Sequence, residues 1–259
     1  MTAETRLASL PMYCEAEVRP ATERWWVGLS RHLRDHGVQG VPDALTWPDD
    51  YHRHWRSQGL LFSQTCGYPL VNVLGPAVRL VATPCYDAPG CEGPTYGAHV
   101  IVRDGAGARS IAALRGARLA ANGAGSYSGY HVWRSMLPAG EDPPCFFGQI
   151  VASGSHRASI RCVAAGEVDA CAVDCVTHAL LSDQAPETLR GTRILTSSPT
   201  APALPYVTAA ATPDEEIAKM REGLRAAIAD PSLASARKEL RLTGASVLSD
   251  EDYRNAFRD

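Results

Sequence analysis

A glycine- and serine-rich stretch at residues 122–129 holds the groups best suited to bind a small ligand. Its sequence is NGAGSYSG, and it follows a short apolar segment and precedes a segment that we expect to be helical. The first backbone N–H groups of a helix lack partners within the helix, and the helix dipole adds partial positive charge there. Glycines let the backbone approach a ligand, and the hydroxyls of Ser126 and Ser128 supply further hydrogen bonds. We therefore expect this turn to bind a small anionic or zwitterionic solute.

The segments around this turn alternate between strand-like and helix-like patterns. Apolar runs predict strands at 6–10, 44–46, 60–63, 78–82, 98–102, 118–121, 149–151, 168–173 and 193–196. Amphipathic spacing predicts helices at 20–35, 156–165 and 214–228, the last preceded by a capping box at Thr212–Glu215, and shorter helices near Ser235 and Tyr253. Such alternation predicts an α/β protein whose sheets are mostly parallel and flanked by helices.

In open α/β sheets, ligands bind beyond the carboxyl ends of the strands, where several loops meet. Loops that follow predicted strands here lie at 13–14, 64–68, 123–129, 153–156 and 174. Their side chains can hydrogen-bond an oxyanion and also neutralise an ammonium group. The candidate ligand-binding residues are Tyr13, Gln64, Tyr68, Ser126, Tyr127, Ser128, His156 and Asp174.

Composition excludes several classes of protein. The formal net charge of −3 and the scattered basic residues argue against nucleic acid as a partner. No apolar run approaches the ~20 residues of a membrane span. The first ten residues lack a basic region followed by a long apolar one, which favours a cytoplasmic location. No cofactor-binding motif is present, so we expect no cofactor and no bound metal.

Four motifs together resemble those of the phosphonate/phosphate ABC-transporter substrate-binding proteins, which have the type 2 periplasmic-binding-protein fold. They are LFSQTCGYP at 61–69, SYSG at 126–129, GSH at 154–156 and GEVDA at 166–170. The resemblance covers residues 7 to about 228. It implies a non-enzymatic solute-binding protein that traps a small oxyanion-bearing ligand between two lobes. It also implies a two-strand hinge, and an ABC-transporter permease as a partner.

The resemblance also assigns residues and domains. The positions that match ligand contacts in the family are Tyr13, Tyr68, Ser126, Tyr127, Ser128, His156 and Asp174. The serine turn would hold the oxyanion, and acidic residues would hold an amine. Residues 1–97 and 207–259 would form one lobe, and residues 98–206 the other. The Pro- and Gly-rich segment 83–94 is where we expect the chain to cross between them.

Several alternatives compete with this interpretation. Ser126 and Ser128 could merely cap a helix, as Asp174 could cap the next one. Cys66 and His156 could form a cysteine-dependent catalytic site on the same fold, or the protein could be a cytoplasmic sensor that signals by protein contact. Tyr13 and Tyr68 could be core aromatics.

Two further hypotheses concern a dinucleotide-binding site and the roles of the cysteines. The spacing G-x-G-x-x-x-G does not fit a dinucleotide fingerprint. The spacing of Cys171, Cys175 and His178 allows a metal site, but Cys171 lies within a predicted strand, where its side chain would point away from the other two. Cys85 and Cys91 flank a Pro-Gly loop and could form a disulfide in an oxidising compartment. The simplest interpretation is that most of the cysteines are free, buried thiols.

Overall fold

The computed structural model of the protein describes residues 6–258, which fall into two compact units. The first unit consists of the segment that ends at Asp87 and the segment that begins at Pro202, whereas the second spans Ala88–Ala201. The chain thus passes between the units twice. These crossings lie at 87/88 and 201/202, earlier than the sequence-based boundaries at 97/98 and 206/207. The first difference arises because residues 88–97 form a hairpin that packs within the second unit.

The first segment of the chain contributes six regular elements to the first unit. They are β1 (Leu7–Ala8), α1 (Arg19–Asp35), α2 (Tyr51–Trp55), β2 (Leu60–Gln64), α3 (Gly67–Pro69) and β3 (Val78–Tyr86). The second unit contains β4 (Cys91–Glu92), β5 (Thr95–Tyr96), β6 (Ala98–Arg103), β7 (Arg118–Ala121), α4 (Pro143–Phe146), β8 (Gln149–Ala152), α5 (His156–Ala165), β9 (Ala170–Asp174), α6 (Cys175–Gln184) and β10 (Thr192–Ser197).

After the short strand β11 (Ala201–Pro202), the chain completes the first unit. The elements of this final segment are β12 (Tyr206–Ala209), α7 (Asp214–Ala229), α8 (Ala234–Glu239), β13 (Leu242–Ser246) and α9 (Asp250–Phe257). A π-helical turn at Leu70–Leu74 and 3₁₀ turns at Gly75–Ala77, Ala112–Leu114, His131–Ser135, Pro186–Leu189 and Pro231–Leu233 connect these elements.

The sheet of the first unit has the strand order β1-β2-β12-β3-β13. β1 and β2 run parallel, whereas β12 runs antiparallel to both β2 and β3, and β13 runs antiparallel to β3. The central strand β12 therefore comes from the returning segment of the chain. The prediction of a mostly parallel sheet is wrong for this unit. A helical crossover makes successive strands parallel, but β12 and β13 return to the sheet after the chain has passed through the second unit, so no crossover fixes their direction.

The sheet of the second unit has the strand order β10-β6-β9-β7-β8 and is also mixed. β7 runs parallel to β8 and β9, whereas β6 runs antiparallel to β9 and β10. The parallel pairs place the carboxyl ends of β7, β8 and β9 at one edge of the sheet. The α/β class is confirmed, with mixed rather than mostly parallel sheets.

Alternate residues of the central strands of the second unit enter two different hydrophobic clusters. Val100 and Ala172 pack with Trp133 on one face, whereas Ile101 and Cys171 pack with residues of α5 on the other. Successive strand residues point to opposite faces, so both faces of this sheet are buried. This double burial explains the uninterrupted apolar runs of β6 and β9 in the sequence.

Predicted helices are confirmed where residues next to each helix in the sequence mark its start and end. α1 starts around Pro20 and its C-cap is His36, and it buries Trp25 and Trp26. α5 begins at His156 and ends at Gly166, whose φ of 75° suits the left-handed C-cap position. Among residues 6–258, no helix combines the length and apolar character needed to span a lipid bilayer.

Three local predictions are wrong. The first strand covers only Leu7–Ala8 of residues 6–10. Residues 44–46 form no strand, because their backbone contacts β1 through a single hydrogen bond, from Thr46 N to Ala8 O (2.7 Å), rather than through a ladder. Thr212 makes no capping box, because its hydroxyl bonds Thr208 Oγ1 (2.8 Å), and Pro213 is the N-cap of α7.

Candidate ligand-binding site

The serine turn follows β7 at the carboxyl edge of the second sheet, as predicted, but it opens no α-helix. Residues 122–130 form successive turns, and the 3₁₀ turn at His131–Ser135 comes after them. The turn is closed by hydrogen bonds from Ser126 N to Gly123 O (3.1 Å) and from Gly129 N to Ser126 Oγ (3.1 Å). The expected helix N-terminus is therefore wrong, and hydroxyl and backbone groups of a folded loop take its place.

Ser128 and His156 form the centre of a polar cluster in this unit. Ser128 Oγ lies 3.1 Å from His156 Nε2, and Asn122 Nδ2 lies 3.4 Å from the same nitrogen. Ser128 is only 4% exposed. Asn122 directly follows β7, and His156 follows β8, so neighbouring parallel strands position the cluster.

His156 is held at the start of α5 by the capping of that helix. Ser155 is the N-cap, and its side chain accepts a hydrogen bond from Ala158 N (3.1 Å). Burial lowers the pKa of His156 to about 4, although hydrogen bonding with the backbone of Ala172 opposes part of this decrease. The imidazole is therefore neutral at pH 7, and each of its nitrogens can donate or accept according to the tautomer.

Gly129 allows this cluster to pack closely. A Cβ atom built on Gly129 would lie 1.8 Å from Asn122 Oδ1 and 3.3 Å from His156 Cε1. The side chain of Asn122 therefore occupies the space that any larger residue at position 129 would need. Glycine is required here for packing against Asn122.

Tyr127 contributes mainly to the hydrophobic core. Its ring lies 6.4 Å from that of Tyr96, and the half-buried side chain packs against the cluster that contains Trp133. Asp174, the last residue of β9, acts as the N-cap of α6. Its Oδ1 accepts hydrogen bonds from Val176 N (2.8 Å) and Thr177 N (3.1 Å), and the residue is 2% exposed. The capping alternative therefore describes a role that Asp174 has in the structure.

The remaining candidates belong to the first unit. Tyr13 and Gln64 line a small cavity of about 30 Å³ together with Tyr86 and Tyr206. Gln64 Nε2 donates to Tyr86 Oη (3.1 Å) and to Leu204 O (3.0 Å), and the rings of Tyr13 and Tyr86 meet edge to face at 5.3 Å. A cavity of this volume holds about one water molecule.

Tyr68 lies in α3, half-buried, and does not line that cavity. The structure thus brings Tyr13 and Gln64 together in the first unit. It brings Ser126, Ser128 and His156 together in the second, with Asp174 at the same sheet edge.

The cysteines considered for a metal site and for a disulfide have different surroundings in the structure. Cys171 is buried in the hydrophobic cluster with Ile160 and Val163, and Cys175 Sγ faces Cys91 Sγ at 3.5 Å. Within residues 6–258, no group of three or more potential ligands is arranged to hold a metal ion. The sulfur that Cys91 faces is that of Cys175 and not that of Cys85. Cys85 Sγ instead contacts Ser246 Oγ at 3.8 Å.

Sequence reasoning missed Asn122 as part of the site. A signal for it exists, since a polar side chain stands immediately after a buried strand and before Gly123. Its amide contacts both Gly129 and His156. It therefore belongs to the same cluster as Ser128.

Comparison with known proteins identifies the family. The model of the family described as ABC transporter, phosphonate, periplasmic substrate-binding protein matches residues 48–253. No curated protein sequence matches the chain. Because the family is one of periplasmic substrate-binding proteins, the predicted cytoplasmic location is wrong.

Solved structures agree on the fold. A binding-protein component of an ABC phosphonate transporter from Pseudomonas aeruginosa superposes with a TM-score of 0.78 at 16% identity, over 98% of this chain and 84% of that one. PhnD1 from Prochlorococcus marinus, solved with methylphosphonate, gives 0.78 at 15% identity over 97% and 95%. XAC2383 from Xanthomonas citri, bound to chloride, gives 0.72 at 17% identity over 98% and 95%.

The proteins from Pseudomonas aeruginosa and Prochlorococcus marinus are periplasmic binding proteins with a two-lobed fold, and the matching family is one of transporter substrate-binding proteins, not of enzymes. The chain belongs to the phosphonate-binding family of periplasmic substrate-binding proteins of ABC transporters.

Proposed function

We propose that this protein binds a small phosphonate- or phosphate-like oxyanion at the carboxyl edge of the second sheet. Ser126, Ser128 and His156 would contact the oxyanion directly. The observation that carries the proposal is the Ser128–His156 hydrogen bond beside the turn that Ser126 caps. Family membership adds the class of ligand.

The cluster supplies hydrogen-bond donors without a formal charge. Ser126 Oγ accepts from Gly129 N, so its own hydrogen can point toward a ligand. Ser128 Oγ is held by its hydrogen bond with His156 Nε2 (3.1 Å). The imidazole thus orients the hydroxyl beside the turn, where it can contact the ligand.

The affinity expected from such a site is in the micromolar range or tighter. Each hydrogen bond to a charged oxygen contributes about 1.5–3 kcal/mol. A handful of these bonds exceeds the cost of immobilising a small ligand, and a Kd of 1 μM corresponds to about −8.2 kcal/mol.

The proposal extends to the first unit and to a partner. Tyr13, Gln64 and Tyr68 of the first unit remain candidate ligand contacts, as the resemblance to the family implies. Asp174 would neutralise an amine on the ligand if the ligand carries one. A permease of the ABC-transporter class would then receive the ligand, as is general for the family.

A ligand panel followed by calorimetry tests the function. The panel contains phosphate, phosphite, methylphosphonate, 2-aminoethylphosphonate, a sulfonate, a thiamine-like compound and arginine. We expect a phosphorus oxyanion at about 100 times its Kd to raise Tm by roughly 5–10 °C. Binding of arginine or the sulfonate, with no response to any phosphorus oxyanion, would refute the ligand class.

A double variant tests the site. Ser126→Ala with Ser128→Ala should weaken binding of the best oxyanion at least about tenfold, since two donors are lost. The matched control is Ser232→Ala, which removes a hydroxyl from a capped turn in the first unit and should leave Kd unchanged. Equal affinities of the double variant and the wild type would remove the serine turn from the mechanism.

A further inference from the structure

Two cysteine side chains of the second unit face each other in a way that the proposed ligand site does not explain. Cys91 Sγ and Cys175 Sγ lie 3.5 Å apart, and their residues are 84 positions apart in the chain. Cys91 is half-buried in strand β4, whereas Cys175 is buried at the first position of α6.

Backbone contacts hold both cysteines in place. Cys91 N donates to Ala88 O (2.9 Å) and Cys91 pairs with Tyr96 across the β4–β5 hairpin. Cys175 N donates to Gly97 O (3.0 Å), which is the residue that follows this hairpin. The sulfur–sulfur contact therefore results from two anchored backbones and not from a chance rotamer of two mobile side chains.

Gly90 shows how closely the hairpin approaches α6. Its φ is +99°, and a Cβ built on it would lie 3.1 Å from Cys175 Cβ and 3.3 Å from Cys175 Sγ. The hairpin can lie against the Cys175 side chain because residue 90 has no side chain of its own.

We propose that Cys91 and Cys175 form a disulfide that ties the β4–β5 hairpin to the start of α6. Bond formation requires the two sulfurs to approach from 3.5 Å to about 2.05 Å, a shift within reach of side-chain rotation. The family is periplasmic, and disulfides form and persist in that compartment.

The chemistry is thiol–disulfide exchange with a small or protein disulfide, RSSR, as the oxidant. The more accessible Cys91 loses its proton and attacks one sulfur of RSSR, which forms a mixed disulfide and releases RS⁻. Cys175 Sγ then attacks Cys91 Sγ, displaces the second RS⁻ and gives up its proton. The balance is two thiols and RSSR converted into one protein disulfide and two RSH.

The order of attack follows from the surroundings of the two thiols. The hydrogen bond with Cys91 and burial both raise the pKa of Cys175, so this thiol is the poorer first nucleophile. Once Cys91 carries the mixed disulfide, Cys175 needs to travel only a short distance.

Oxidation by glutathione disulfide tests the proposal on the full chain. Starting from the fully reduced Cys145→Ser protein, which avoids glutathione adducts at exposed Cys145, we expect a loss of two thiols and about 2 Da in mass. Peptide mapping should link the Cys91 peptide to the Cys175 peptide. Tm should rise by roughly 5–10 °C and return on reduction, since the bridge closes a long loop.

Matched variants locate the bridge. All are made in a Cys145→Ser background, because Cys145 is exposed and would form adducts with glutathione. Cys91→Ala, at a half-buried position, should lose no thiols on oxidation, and its Tm should not rise. Cys85→Ala should behave like the parent. A Cys145→Ser parent that keeps all its thiols, or a mapped bridge that includes Cys85, would overturn the proposal.

Discussion

The close packing of Gly129 against Asn122 allows one turn of the molecule to be tested quantitatively. A Cβ atom at position 129 would lie 1.8 Å from Asn122 Oδ1, whereas ordinary van der Waals contact begins at 3.4 Å. Gly129→Ala therefore forces the Asn122 amide to move by roughly 1.6 Å. Because Asn122 also contacts His156, the movement disturbs the group that orients Ser128.

Two effects follow, and each has its own measurement. Overpacking of this kind costs about 1–3 kcal/mol, which corresponds to a decrease in Tm of roughly 2–10 °C by differential scanning calorimetry. Loss of one aligned hydrogen bond to an anion costs about 1.5–3 kcal/mol, so isothermal titration calorimetry should show an affinity at least about tenfold weaker.

Gly125 offers a matched control within the same turn. A Cβ on Gly125 meets nothing within 4 Å, and the residue has no positive φ. Gly125→Ala should change the free energies of unfolding and binding by no more than about 0.5 kcal/mol. Adding Asn122→Ala to Gly129→Ala removes the obstructing amide and should restore most of the lost Tm. A Gly129→Ala protein with wild-type Tm and Kd, or a double variant no more stable than Gly129→Ala, would refute the steric argument.

The other predictions concern titration and helix capping. Because the pKa of His156 is lowered to about 4 in the folded protein, the unfolded chain binds a proton first as the pH falls. Wild-type stability should therefore decrease by about 1–2 kcal/mol more than that of His156→Gln between pH 7 and pH 5 in urea denaturation, and parallel curves would contradict this. Asp174→Ala should cost about 1–2 kcal/mol through loss of the α6 cap, whereas Asp174→Asn, which retains an acceptor oxygen, should cost less; equal losses would exclude capping as the cause. Ser249→Ala breaks the capping box with Asp252 in α9 and should cost about 1 kcal/mol, measured in the same way, with no change in Kd.

Much of the local structure could be predicted from the sequence because its determinants are close together in the chain. α5 is an example, since Ser155 caps its start and Gly166 ends it within one continuous segment. The periodic burial of Ile217, Met220 and Leu224 in α7 is equally local. Such signals do not depend on which other elements lie nearby.

Sheet order and direction could not be predicted, because they depend on contacts between distant segments. β12 lies between β2 and β3 although it follows them by more than a hundred residues. Its apolar pattern is the same whether its neighbours run parallel or antiparallel. The capping box expected at Thr212 failed for a local reason, since the Thr212 hydroxyl bonds Thr208 Oγ1, four residues earlier.

Some features of the candidate site could be predicted from the sequence and others could not. Residue types and turn spacing identified Ser128 and His156, and the structure places these side chains in contact. The turn leads into a 3₁₀ turn at His131–Ser135 whose N-cap, Tyr130, makes no side-chain capping hydrogen bond, a difference that the apolar pattern of the sequence did not indicate. The involvement of Asn122 required the exact approach of Gly129, a distance that residue types alone do not convey.

The central position of β12 has a consequence for synthesis. When the ribosome has released residues up to 201, the second unit is complete in sequence, but β2 and β3 still lack the strand that joins them. Their unpaired edges can capture other chains until the last quarter of the protein emerges. Folding of the first unit is therefore tied to release of the carboxyl-terminal segment that contains β12.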